Sequence, residues 1–308
     1  MNWTPQKHAI VKSEEIKNTL HETGYVTAGN IGPEKLAELK ELYKQLHQFK
    51  SDKGGMFYSL YSDDIAYRKT VHDKIGEILY PVYNTIFANY KSVINSFIVK
   101  VPGPESEFAL HQDSSGLDEL RYSALSLWMP LQDTNLDNGC LCVVPKSHKM
   151  FYPFRGISMN SPFGDIQDEV RKYLLPLDMK AGDLFMFDNR LVHYSPANIG
   201  VEDRIVVMSG LFPQEAPIEV CYRDETAAGS AVEVYAQSED YLLTNTTFFH
   251  NCTCRPETGY RVREIAADLH SWTREEFLAA ARKAGITEAN VPQLLNLETR
   301  MSIISEPV

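Results

Sequence analysis

Phe108-Ala109-Leu110-His111-Gln112-Asp113 reads as a short extended segment, and alternate side chains on an extended chain project to the same side, so His111 and Asp113 converge on one point. An imidazole nitrogen and a carboxylate oxygen placed this way suit a first-row divalent metal, but two ligands hold such an ion weakly. His193 is the natural third. It lies in Leu191-Val192-His193-Tyr194-Ser195, just after the strand-like Asp183-Leu184-Phe185-Met186-Phe187-Asp188, so a sheet can carry it back to the first pair.

Two histidines and one carboxylate on one side of an iron(II) ion leave positions open, the arrangement used by non-haem oxygenases. A 2-oxo acid can chelate there through its carboxylate and keto oxygens and leave one position for dioxygen. The far carboxylate of 2-oxoglutarate then needs a cation. Arg204 stands eleven residues past His193, with Pro196 to Asp203 available to turn one strand into an antiparallel neighbour, and its guanidinium fork meets a carboxylate bidentately. Ser195 shares the parity of His193, so its hydroxyl is expected to point into the same cavity and to donate a second hydrogen bond to that carboxylate.

Outward from this stretch the periodicity is close to two in Ser92 to Val101, Arg121 to Leu131, Cys140 to Pro145, Asp183 to Asp188 and Arg204 to Phe212, which predicts several short strands in a barrel or sandwich. Turns fall at Pro102-Gly103-Pro104, Asp137-Asn138-Gly139, Ala181-Gly182-Asp183 and Asn198-Ile199-Gly200. Before residue 92 the pattern is helical. Ser13 is a cap for a helix that stops at Gly24; Pro33 opens a second with Leu36, Leu39, Tyr43 and Leu46 as its apolar stripe; a third runs from Ile65 to Phe87, with Pro81 expected to kink or split it. Near the end, Thr273 and Glu276 have the spacing of a capping box and Gly285 closes that helix, so the tail is expected to be helical. No Gly-, Pro- or Ser-rich linker separates two cores. The expectation is one domain over 1–308: a helical buttress at 1–91, a β core at 92–212 and an extension at 213–308.

With 308 residues, of which 44% are apolar and 23% charged, the chain has ample material for a core. Its 41 acidic against 30 basic side chains give a net charge of -11, which disfavours nucleic acid as a partner and leaves a small-molecule substrate as the expectation. Met1 to Glu15 carries no apolar run, no segment approaches a membrane span, and Ser305-Glu306-Pro307-Val308 is not a Ser-Lys-Leu address, so a cytoplasmic location is expected. The oligomeric state is not readable. Five cysteines fit a reducing compartment, and the Cys140/Cys142 and Cys252/Cys254 pairs are too closely spaced for the usual zinc sites.

His111-Gln112-Asp113, Asp137-Asn138-Gly139-Cys140-Leu141, Pro145-Lys146-Ser147-His148, His193 and Arg204 occur in this order, and with them the chain resembles the phytanoyl-CoA dioxygenase family over roughly Asn95 to Phe212. The resemblance implies a double-stranded β-helix (jelly roll, cupin-like) core with flanking helices, an iron(II) and 2-oxoglutarate dependent dioxygenase, metal ligands at His111, Asp113 and His193, and Arg204 and Ser195 on the 2-oxoglutarate. Trp128 matches a tryptophan bordering the cosubstrate. Parity agrees, since Leu125, Leu127, Met129 and Leu131 take one face of their strand and leave Ala124, Ser126 and Trp128 on the other.

Hydroxylation of a small metabolite or biosynthetic intermediate, with release of succinate and CO2, is the implied reaction. Desaturation, epoxidation or rearrangement by the same site, or an inactive ligand-binding relative, are the alternatives. Two departures from the family stand out: Lys146 replaces the glycine that usually precedes Ser147, and the strand around Ser96 lacks a methionine that touches the cosubstrate. His148 is read as a structural hydrogen-bonding group, and Arg121, Arg155, Arg190, Tyr58 and Tyr61 as surface or packing residues rather than substrate contacts.

Overall fold

The computed structural model describes residues 8–47, 55–150, 154–226, 229, 231–245, 254–266 and 269–295; Cys252 and the Ser305–Val308 tail lie outside them. Helix α1 (Glu14–Thr23) starts where Ser13 Oγ accepts from the Ile16 amide and ends at Gly24, whose φ of 89° puts it in the left-handed region that a glycine enters without steric cost. Strand β1 (Tyr25–Asn30), α2 (Gly32–Leu46), β2 (Gly55–Tyr58) and α3 (Ile65–Ile86) follow.

Pro81 does not split α3, which is one continuous helix. Pro81 and Glu77, whose carbonyl loses its donor, both sit on the exposed side, where water can take that bond. The first ninety residues are also more than a helical buttress. β1 pairs with β8 and β2 with β3, so this segment supplies both edge strands of the larger sheet.

The remaining strands are β3 (Tyr90–Val101), β4 (Phe108–His111), β5 (Leu125–Pro130), β6 (Cys142–Val143), β7 (Leu175–Pro176), β8 (Asp183–Asp188), β9 (His193–Ser195), β10 (Arg204–Pro213), β11 (Ile218–Tyr222), β12 (Val232–Gln237) and β13 (Tyr260–Ile265). Helices α4 (Gln167–Arg171), α5 (Tyr241–Thr244), α6 (Arg274–Ala284) and α7 (Pro292–Leu295) lie among them. β5 begins four residues later than its periodicity suggests, because the Arg121 and Tyr122 amides close a turn onto Asp118 O.

A six-stranded sheet in the order β1-β8-β5-β10-β3-β2 faces a four-stranded sheet in the order β4-β9-β6-β7, with antiparallel pairing throughout. From β4 to β10 the chain passes repeatedly between the two sheets, the path of a jelly roll. Side-chain parity sorts the contents. Phe97, Val99, Leu125, Leu127, Met129 and Val207 turn outward to Leu39, Val71, Ile75 and Leu79 of α2 and α3. Ile98, Trp128, Phe185, Phe187 and Val206 turn inward to Val143 of the smaller sheet and to Leu141 and Leu191 just before its strands.

The tail is not purely helical. β11, β12 and β13 form a third antiparallel sheet, tied by Arg263 to Glu219 at 2.6 and 2.9 Å. The capping box at Thr273 and Glu276 is present and Gly285 closes α6. Phe277 and Ala281 of that helix pack on the outer face of the smaller sheet over Cys140, Cys142 and Tyr194, where the two thiols serve as small apolar groups. No described helix is long and apolar enough to cross a membrane.

Candidate active site

β4 and β9 are antiparallel, with His111 directly opposite His193, so the two imidazoles meet across the pair with ring centroids 4.0 Å apart. Asp113, two residues past the end of β4, is held by its own amide, which donates to Asn189 O at 3.1 Å. Its Oδ1 lies 3.8 Å from His111 Nε2 and 3.7 Å from His193 Nε2, and the three ligand atoms fall within 4.8 Å of one another. The structure thus brings together the three residues that sequence parity singled out.

Each histidine is locked the same way. His111 Nδ1 is 2.8 Å from Ala109 O and His193 Nδ1 is 2.9 Å from Leu191 O. A carbonyl only accepts, so Nδ1 carries the proton and the Nε2 lone pair is left toward Asp113. Burial and the adjacent His193 push the His111 imidazole down to about 3, so it is neutral near pH 7. Two imidazoles with one carboxylate are the donor set that suits a divalent first-row ion. Ser126 Oγ donates to the other carboxylate oxygen, Asp113 Oδ2, at 2.9 Å, which leaves Oδ1 to the metal position.

A narrow cavity of about 40 Å³ has Asp113, His193, Trp128 and Arg204 in its wall. Arg204, the first residue of β10, is 2% exposed, and neither Nε nor Nη1 has a hydrogen-bond partner. Its guanidinium carbon sits 5.3 Å from the centre of the Trp128 ring. Burial lowers its pKa to about 10, still charged at neutral pH. Buried, unpartnered donors are costly unless an acceptor arrives, so this end of the cavity fits the distal carboxylate of a 2-oxo diacid. Ser195 lines the cavity as its parity requires, but its hydroxyl donates to Gly139 O at 2.8 Å. A hydroxyl has one proton, and here Ser195 gives it to Gly139 O.

On the far side of His111 a larger chamber of about 390 Å³ is walled by Gln112, Phe154, Met159, Arg223, Glu225 and Leu269, among others. Its charges are neutralised in place. Arg155 grips Glu119 with two 2.7 Å bonds, Arg223 Nη1 donates to Leu269 O at 3.0 Å with Glu225 3.5 Å away, and His270 pairs with Glu276.

The sequence model of the family described as phytanoyl-CoA dioxygenase (PhyH) matches residues 20–206, more than half of the chain. The chain belongs to this family. Curated relatives named phytanoyl-CoA dioxygenase include one from Arabidopsis thaliana, 33% identical over 35% of this chain and 39% of its own. Another, phytanoyl-CoA dioxygenase 1 from Oryza sativa subsp. japonica, is 29% identical over 52% of this chain and 57% of its own. The chain thus spans about half the length of the curated relatives it matches. Among solved structures, the epimerase SnoN in complex with ferric iron, alpha ketoglutarate and nogalamycin RO aligns over 85% of this chain and 96% of its own at 20% identity and a TM-score of 0.48. HygX from Streptomyces hygroscopicus with nickel and 2-oxoglutarate bound aligns over 66% and 88% at 18% identity and a TM-score of 0.46.

Against the phytanoyl-CoA dioxygenase pattern, both departures have a local remedy. Lys146, where the family has glycine, takes a left-handed φ of 66°, while its amide donates to Thr23 O at 2.7 Å and its Nζ to Gly285 O at 2.9 Å. Ser147 Oγ then accepts from the Val192 amide at 2.8 Å, which fixes the residue before His193. Near Ser96, where the family methionine is absent, Met208, the cross-strand partner of Ser96, lines the cavity, as does Met56.

His148 is structural, 3.1 Å through Nε2 from His21 O. Arg190 is bound to Asp188, which also meets His8 at 2.9 Å. Tyr58 stacks on Tyr61 at 4.7 Å and, unlike the other weak candidates, lines the narrow cavity. Sequence reasoning missed Lys100 and most of the chamber wall; parity put Ser126 on the face of Trp128 without giving it a role, and Arg155 was read as a surface or packing residue. A lysine on the inward parity of β3, shared with Ile98, was the available signal for the first.

Proposed function

We propose that this protein is an iron(II) and 2-oxoglutarate dependent dioxygenase that hydroxylates an uncharged small molecule held in the chamber beside His111. The observation that carries this is one narrow cavity lined by His193 and Asp113 and also by buried Arg204, whose Nε and Nη1 are unpartnered.

His111 Nε2, His193 Nε2 and Asp113 Oδ1 would hold the iron, and Arg204 the distal carboxylate of 2-oxoglutarate. Bound together, the iron and 2-oxoglutarate supply the reduction of dioxygen and the oxidising power for cleavage of a C–H bond, with succinate and CO2 as coproducts. The protein supplies placement. Ala109 O and Leu191 O fix the tautomers, Ser126 orients Asp113, and Trp128, Phe187 and Leu141 line the cosubstrate cavity with apolar surface, which strengthens each electrostatic contact there. The chamber offers apolar walls with hydrogen-bonding groups but pairs each charged group internally. That favours a neutral, oxygen-bearing metabolite over a polyanionic thioester, which needs unpaired cations for its phosphates.

The test is oxygen-dependent succinate release from 2-oxoglutarate by the iron-loaded protein, first alone and then with a panel of neutral metabolites and CoA thioesters. His111→Ala and Asp113→Ala abolish it and weaken iron binding. Arg204→Ala raises the 2-oxoglutarate requirement by roughly tenfold or more, the loss of a charge-assisted contact. Full activity in all three variants refutes the assignment.

A further inference from the structure

Lys100 on β3 is the direct cross-strand partner of Arg204 on β10. Like charges opposite one another on a sheet repel, and both residues are buried, at 0% and 2% exposure. Among the described residues no ion pair joins either to a carboxylate. Burial and the adjacent Arg204 push the Lys100 ammonium well below its usual range, and Glu107 opposes this only through space, so neither cation has a carboxylate in contact and an arriving one would relieve the pair.

The donors are countable. Lys100 Nζ donates to Ser195 O at 2.8 Å and Pro196 O at 2.6 Å; an ammonium has three N–H groups, so one remains. Arg204 keeps Nε and Nη1 without partners. Both residues line the narrow cavity. Gly139 makes room for the lysine, since a Cβ at that position would stand 3.0 Å from Lys100 Cδ.

We infer that Lys100 is the second cation of the 2-oxoglutarate clamp, its remaining N–H sharing the distal carboxylate with the Arg204 guanidinium. This rests on the assignment of Arg204 to that carboxylate. The competing role is purely structural: Lys100 tying down the Ser195 and Pro196 carbonyls just after His193.

A pair of ligands separates the two roles. 2-Oxoglutarate and 2-oxobutyrate share the chelating 2-oxo acid head, and only the first has a distal carboxylate. Their affinities are measured by calorimetry on the zinc-loaded, redox-inert protein. In Lys100→Gln an amide keeps two donors for the carbonyls and loses the charge. The clamp role predicts about a tenfold loss of 2-oxoglutarate affinity, the worth of one charge-assisted hydrogen bond, with 2-oxobutyrate unchanged. Equal losses for both ligands, or no loss for either, overturn it.

If the wild-type protein binds both ligands alike, the Arg204 assignment itself fails. If the variant does not fold, the wild-type protein answers by NMR. Lys100 is the buried lysine among the described residues, so its 13Cε signal is spared by a soluble paramagnetic probe. That signal must shift with 2-oxoglutarate and not with 2-oxobutyrate, and any other response overturns the inference.

Discussion

Ser126→Ala removes a hydroxyl that touches no metal, yet it is expected to weaken metal binding by about tenfold. Ser126 Oγ lies 2.9 Å from Asp113 Oδ2 and 3.0 Å from the Asn189 side-chain amide. One hydroxyl proton cannot serve two acceptors. The Asn189 atom in contact is Oδ1, and the charged carboxylate is the stronger acceptor, so Ser126 donates to Asp113 and the carboxylate is pinned by one oxygen.

A hydrogen bond to a charged group contributes about 1.5–3 kcal/mol when sheltered. The Asp113 side chain is 30% exposed, so the lower end, about 1.5 kcal/mol or roughly tenfold, applies. Loss of an outer partner of a ligand carries the same scale, about 10–100-fold in affinity. Competition against a chelator with Mn(II) at pH 7 measures it, and Ser126→Thr, which keeps the hydroxyl, is expected to restore most of the loss. Affinity within twofold of wild type in Ser126→Ala would show that Asp113 is held by its backbone alone.

Gly139→Ala is expected to destabilise the fold by about 2–4 kcal/mol in denaturant titration, since a Cβ there would stand 2.6 Å from Pro196 O at a φ of 79°; an unchanged midpoint would contradict this geometry. His148 is pushed down to about 4 by burial, from an ordinary value of 6.5. Between these values the unfolded chain binds the proton and the folded one resists it, so stability falls as pH drops through 6.5 toward 4, by about 3 kcal/mol for this group. His148→Gln is expected to flatten that part of the pH profile, and a profile parallel to wild type would exclude the residue as its source.

The metal-type cluster was legible because strand parity is a local property: His111 and Asp113 need only an extended chain between them, and His193 only an antiparallel neighbour. Lys100 was not, because its burial follows from the pairing of β3 with β10, which no single segment encodes. β1 was hidden by abutting the glycine that ends α1, and β2 by its length of four residues. β13 was obscured by composition. Tyr260, Arg261 and Val262 are all exposed, so apolar and charged residues do not separate onto two faces. The chamber beside His111 could not be read at all, since Phe154, Arg223 and Leu269 come from separate loops whose meeting depends on the finished fold.

The turn at Pro145 to His148 is a joint where three distant parts of the chain are fastened: Lys146 to the last residue of α1, Lys146 again to the glycine after α6, and Ser147 to the strand bearing His193. Cropping the protein to its family-matched stretch would therefore cut more than an ornament. It would untie one of the knots that steady a ligand strand from behind and, by removing Arg223, Glu225 and Leu269, take away part of the wall of the larger chamber. New specificity is better sought by exchanging residues of the tail than by shedding it.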